Sequence, residues 1–254
     1  MATLYSGKAL PRSTMRPLTW VFGALVSLAW PGCRSGDPGD AADDALARAV
    51  SSSPADPRLP DVLLIGDSIS IGYTLPTRER LRGKANVYRV AENARDTEYG
   101  LRKLPEWLGS RGWQVICFNW GLHDLKLRDG HPGVPIERYR ENLRALVRQM
   151  KSTGAWLVWV TTTPVPLGSL SPPRNPEDVS RYNAAALVIM GEEGVAVGDL
   201  YAVSRPRLDV LQQPANVHFR PEGYTFLAEL VARSIEQELG RPAGDRQLKY
   251  PESR

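Results

Sequence analysis

The residues with the means to do chemistry stand far apart in the chain. Asp61-Val62-Leu63-Leu64-Ile65 is a short apolar run that reads as a buried strand, and Gly66-Asp67-Ser68 follows it at once. A serine there sits in the turn beyond the C-terminal end of a strand, the edge of an open α/β sheet where ligands bind. Gly66 is expected to supply a positive φ as the chain leaves the strand sharply. By itself Gly-Asp-Ser is also an ordinary turn sequence. A nucleophilic serine needs a base to take its proton, and the chain has only three histidines: His123, His131 and His218. His218 lies in Asn216-Val217-His218-Phe219-Arg220-Pro221, just before a helix with apolar residues at Phe226, Leu227, Leu230, Val231 and Ile235. From that loop an imidazole can reach across the same sheet edge. The chemistry this pair offers is attack on a carbonyl carbon by Ser68, with His218 as general base.

With Gly121-Leu122-His123-Asp124 between them, these blocks resemble the SGNH or GDSL hydrolase superfamily, whose serine lies in Gly-Asp-Ser after the first strand and whose histidine lies in Asp-x-x-His near the C-terminus. The resemblance covers residues 59–240. It implies a flavodoxin-like three-layer α/β/α sandwich with a five-stranded parallel sheet. It also implies hydrolysis of carboxylic esters, often acyl or acetyl groups on carbohydrates or lipids, without a cofactor. An α/β-hydrolase elbow, Gly-x-Ser-x-Gly, would need glycine where Ser70 stands.

The resemblance further implies an oxyanion hole made from the N–H of Ser68, a backbone N–H of a second block, and an asparagine side chain of a third. The second block is Glu92-Asn93-Ala94-Arg95-Asp96-Thr97, with Arg95 in place of glycine. Its N–H is expected to serve, with its side chain as an alternative substrate contact, while Asp96 and Thr97 read as helix-start residues. In the third block His123 replaces asparagine. Its Nδ1 is as many bonds from Cα as the asparagine amide nitrogen, so a neutral imidazole is expected to donate from there; plain packing is the alternative. Asp67, Asn93, Asn119, Gly121 and Asp124 are expected to bind substrate or support the loops. Within that set, Gly121 would let the backbone approach the carbonyl and Asp124 would brace its turn. Thr162-Thr163-Pro164-Val165-Pro166 is another candidate wall. Ala215 occupies the place of the family's aspartate. Two options remain, a Ser–His dyad steadied by a backbone carbonyl or a carboxylate from elsewhere. Asp209 and Glu222 are nearest, and neither has the family's spacing.

Positioning these residues takes alternating strands and helices. Strand-like runs fall at 62–65, 87–90, 115–119, 157–161 and 195–197, and helix-like runs near 78–81, 97–108, 136–150 and 179–190. That alternation means right-handed crossovers and a largely parallel sheet in one domain.

Residues 1–33 read as a signal sequence: Arg12 and Arg16 precede the uncharged run Leu18–Trp30, too short to span a bilayer comfortably. Gly32-Cys33 resembles a bacterial lipoprotein cleavage site, with Cys33 acylated as a membrane tether. Plain secretion is the alternative, and both are export. Residues 34–58, rich in Ser, Gly, Asp, Ala and Pro, are expected to be a flexible linker, and 241–254 a tail. Cys117 lies in an apolar run and reads as a buried inert thiol. Two cysteines without ligand spacing argue against a structural metal. Of 32 basic residues, Lys8, Arg12 and Arg16 fall in the leader, which leaves 29 against 28 acids and no case for nucleic acid. The expected partner is a small-molecule or carbohydrate ester. The leading reading is thus a serine esterase or deacetylase of the cell envelope. A weakly active or inactive relative that binds a polysaccharide is the alternative, and a non-enzymatic flavodoxin-type domain, for which no phosphate-binding glycine loop is present, comes last.

Overall fold

The computed structural model of the protein describes residues 38–51 and 55–242. The leader expected over 1–33, with Cys33, and nearly all of the tail expected over 241–254 lie outside the described residues. Five short strands form one parallel sheet: β1 (Asp61–Ile65), β2 (Asn86–Arg89), β3 (Val115–Phe118), β6 (Trp156–Val160) and β7 (Ala196–Gly198). Their order is β2-β1-β3-β6-β7, so the chain reverses its direction of winding between β1 and β3. That switch opens a crevice at the C-terminal ends of β1 and β3, the usual binding edge of a doubly wound sheet. β3 and β6 are buried at every position, as strands covered on both faces must be.

Helices cover the two faces. α2 (Ser68–Arg80) packs on α8 (Pro221–Leu239), which also meets β3, β6 and β7. On the opposite face α3 (Thr97–Leu108), α4 (Ile136–Lys151) and α5 (Pro176–Glu193) pack in sequence. This is the three-layer α/β/α sandwich that the resemblance implied, built on the parallel sheet that the alternation implied. The helix near 78–81 is longer than its apolar spacing suggested, because it begins at Ser68 itself. Its first two turns carry serine, glycine and threonine, which gives little periodic signal. Two short helices, α6 (Leu200–Ser204) and α7 (Leu208–Leu211), and a small hairpin, β4 (Leu127–Arg128) with β5 (His131–Pro132), lie in the connections.

The linker expected over 34–58 is corrected in part. Residues Pro38–Val50 form a helix, α1, that packs on α2. Ala49 is fully buried, and Arg78 of α2 donates to Ala49 O at 3.0 Å and to Ser51 O at 2.8 Å. The Ala-rich stretch Ala41–Ala49 has good helix propensity, and the arginine supplies donors to the carbonyls that the end of α1 leaves open. Composition alone conceals a docking partner, Arg78, that lies 29 residues beyond Ala49. Cys117 is buried with its thiol pushed up to about 12 by desolvation, consistent with an inert core residue. Among the described residues no helix is long and apolar enough to cross a membrane, and no group of three or more metal-ligating side chains gathers.

Candidate active site

Ser68 is the first residue of α2, directly past β1. Asp67 caps the helix, its carboxylate accepting from Ile69 N at 2.9 Å. Gly66 is required here for space and not for a positive φ, which corrects the expectation: a Cβ would stand 2.7 Å from Ser70 Cβ. The turn is fastened from β2 by buried Arg89, which donates to Ser70 Oγ at 2.7 Å and to Gly66 O at 2.9 Å. Sequence reading missed this arginine, since a charge at a strand end looks solvated until the fold encloses it. The N–H of Ser68 has no protein acceptor among the described residues, as the orphan donors of a helix N-terminus require.

His218 arrives from the other end of the chain, on a loop closed by Gln213 N–His218 O at 2.9 Å and Arg220 N–Leu211 O at 2.8 Å. Its Nε2 lies 2.8 Å from Ser68 Oγ. Neither proposed substitute for the absent acid is what contacts the ring. Nδ1 lies 2.8 Å from Asn216 Oδ1, and the His218 backbone N–H donates to the same oxygen at 3.0 Å. A backbone N–H can only donate, so the atom facing it is the amide oxygen. Nδ1 must then carry the ring proton, and Nε2 presents its lone pair to the Ser68 hydroxyl. Asn216 Nδ2 is held in turn by Gln213 Oε1 at 3.3 Å. Asn216 stands one residue nearer the histidine than the family's aspartate. It is reached because Ala215 adopts φ +49° and turns the chain back. Burial holds the His218 pKa below its ordinary value. The Asp67 charge works against that shift and the Arg174 charge adds to it.

The second block is drawn to the site by Ala94 N–Gly66 O at 3.1 Å. Arg95 has φ +50°, the left-handed conformation for which glycine is the usual choice. Its N–H donates to Asn93 Oδ1 at 2.9 Å, a turn closed within the loop. That corrects the expectation for Arg95: its backbone donor is already engaged, and Asn93 supports the loop. Asp96 caps α3 through Tyr99 N at 2.9 Å.

His123 differs in detail from expectation. Lys126 Nζ, an ammonium with no lone pair, lies 3.0 Å from Nδ1 and must donate to it. The ring proton therefore sits on Nε2, and the donor available to a carbonyl oxygen is Nε2–H, not Nδ1–H. Burial first, then the Lys126 and Arg174 charges, push the His123 pKa down to about 4 against the pull of Asp67, so the ring is neutral near pH 7. Gly121 does not open the backbone to substrate. At φ +153° its α-carbon faces Thr162, where a Cβ would meet Oγ1 at 2.2 Å. Asp124 is fully buried and accepts from Thr97 N at 3.0 Å and Thr97 Oγ1 at 2.6 Å, bracing the loop against α3. Asn119 is a strand-end tie, donating to Val160 O at 2.7 Å and Thr162 Oγ1 at 3.2 Å. Thr161–Thr163 are buried alongside it, and His131 is exposed on β5. Buried Arg174, which sequence reading also missed, donates to Leu122 O at 2.7 Å and Pro172 O at 3.1 Å, beside His123.

The likeness to solved structures bears on the fold. A lipase/acylhydrolase from Enterococcus faecalis superposes with a TM-score of 0.61 at 20% identity, covering 70% of this chain and 96% of that one. An acetylxylan esterase from Geobacillus stearothermophilus gives 0.56 at 17%, covering 72% and 95%. The acetyl xylan esterase AlAXEase gives 0.58 at 15%, covering 69% and 99%. No curated protein matches the chain in sequence. The family model for the GDSL-like lipase/acylhydrolases matches residues 64–226, from β1 through the histidine loop into α8. The chain therefore belongs to the GDSL-like lipase/acylhydrolase family of serine ester hydrolases.

Proposed function

We propose that the protein is an exported esterase or deacetylase acting on acylated carbohydrates or small esters, with Ser68 as nucleophile, His218 as general base and Asn216 as the residue that orients the imidazole. The observation that carries this reading is the 2.8 Å contact of Ser68 Oγ with His218 Nε2, in a tautomer fixed by Asn216. As Ser68 Oγ attacks the ester carbonyl, its proton passes to Nε2. The negative charge that develops on the carbonyl oxygen meets the Ser68 N–H and the Nε2–H of His123. The imidazolium then returns its proton to the departing alkoxide and leaves an acyl-serine, which water hydrolyses by the same steps in reverse order. Asn216 supplies a dipole and a fixed ring orientation but no charge, so it steadies the imidazolium less than a carboxylate does. The acetylxylan esterases of like fold agree with a deacetylase acting on carbohydrate.

A fluorophosphonate probe tests the assignment. It is expected to label the wild type at Ser68, with labelling abolished in a folded Ser68→Ala variant. Labelling that persists in that variant refutes Ser68 as nucleophile.

A further inference from the structure

Among the described residues, many basic side chains are answered by a carboxylate. Arg58, Arg82, Lys84, Lys103, Arg111 and Arg144, for example, each form an ion pair. Arg220, on the His218 loop, donates its Nε to Gln212 O at 3.0 Å. Three further cations on the loops around Ser68 and His218 likewise have no carboxylate partner among the described residues: Arg95, Lys126 and Arg174. Lys126 spends one N–H on His123 Nδ1. Arg174 is buried with its Nε and one terminal nitrogen on the carbonyls of Leu122 and Pro172, and its other terminal nitrogen has no protein acceptor among the described residues. Arg95 is exposed and lies over the Tyr99 ring at 4.5 Å, in a backbone conformation that a side chain resists.

We propose that these three residues form an anion-recognition subsite, and that the preferred substrate is an ester that itself carries a carboxylate. Burying a guanidinium with neutral carbonyl partners leaves its charge unneutralised, and a planar guanidinium edge suits a carboxylate. The nearby acids form no ion pair with these three cations among the described residues. Asp67 and Asp96 are engaged as helix caps, and Asp124 is enclosed, with burial raising its pKa to about 7. Against Asp67 and Asp96 stand Arg95, Lys126, Arg174 and the buried Arg89. Arg174 lies close enough to depress the pKa of both His218 and His123, with the larger effect of the Asp67 charge pulling the other way. A bound carboxylate would complete the set of charges that the protein leaves open. The proposal rests on the esterase reading of the same site, and its test separates the two.

Two matched ester pairs differ in little but charge: 3-acetoxybenzoate against 3-acetoxybenzamide, and the monophenyl ester of adipic acid against its terminal amide. The expected result is a kcat/KM preference for the anion of about tenfold or more in at least one pair, the scale of one well-placed charge-assisted hydrogen bond. Added salt should erode the preference. It should collapse toward unity in Arg174→Gln and shrink in Lys126→Gln and Arg95→Gln. Because each ratio compares two esters on one protein, damage to folding or to His123 cancels, and exposed Arg95 supplies a variant that leaves the buried structure untouched. Ratios near one in both pairs at low salt overturn the proposal, as does a preference that survives all three substitutions. Calorimetric binding of the same compounds to Ser68→Ala makes the outcome independent of turnover. Preferential binding of the anions with no hydrolysis by the wild type refutes the esterase and keeps the subsite. Hydrolysis without any charge preference does the opposite, and absence of both refutes both.

Discussion

Asn216 makes this site unlike a charged triad, and the difference is measurable as a pH dependence. Burial holds the His218 pKa below its ordinary value of about 6.5, so the proposed base is already neutral in mildly acidic solution. The acid limb of kcat/KM, which reports the free enzyme, is expected below pH 6.5. Asn216→Asp places a carboxylate against Nδ1, which favours the charged imidazolium and raises the pKa. The limb of that variant should move up by about one unit or more, and an unmoved limb would show that residue 216 does not face the base. Asp124 offers a second titration, read in stability. Its carboxyl is pushed up to about 7, mainly by burial, whereas an unfolded aspartate titrates near 3.9. Between those values the folded state holds the extra proton, so the group favours folding least at high pH, and its contribution declines as pH rises from about 4 to about 7. Asp124→Asn removes that dependence. The Tm of the variant relative to wild type should therefore climb across the same window, and parallel curves would contradict it.

At the scale of elements, the Ser68–His218 distance depends on how closely α2 and α8 approach, because each helix carries one partner at or just before its N-terminus. Gly72 permits that approach: a Cβ there would lie 2.1 Å from the ring of Tyr224 on α8. In Gly72→Ala the gain in helix propensity is about 1 kcal/mol, and overpacking against a rigid ring costs about 1–3 kcal/mol. The clash lies at the severe end, so it wins. A lowered Tm with a fall in kcat per folded molecule is expected, since the helix must shift and carry Ser68 with it. Thermal denaturation and active-site titration together check this, and an unchanged kcat would uncouple the helix packing from the dyad.

At the scale of the whole molecule, the folded unit starts earlier than the catalytic motifs do. α1 is fastened to α2 through Arg78 and buried Ala49. The proposed lipidation at Cys33 would then leave only a few residues between an acyl anchor and the first helix. If Cys33 is acylated, the protein should partition into detergent from bacterial membranes, and Cys33→Ser should release it to the aqueous phase. A wild type found wholly in the aqueous phase leaves secretion as the reading.

Much of this protein is written in local sequence. The five apolar runs became the five strands, and 97–108 became α3 at the expected residues, because periodicity and caps act over a few neighbours. Ser68 and His218 were legible for the same reason: each sits at a strand end or helix start that its own neighbours define. The partners of those residues were not legible. Asn216 as the contact of Nδ1 depends on Ala215 adopting a left-handed turn, and the engaged N–H of Arg95 depends on an equally unusual φ. The tautomer of His123 depends on where Lys126 points, and Arg89 and Arg174 became site residues only when the fold enclosed them. Sequence alone determined the fold class and pointed to Ser68 and His218 as the candidate pair, since these follow from short-range patterning and short motifs. Tertiary structure decided proton positions, charge balance and loop supports, since hydrogen bonding and burial join residues that are distant in the chain.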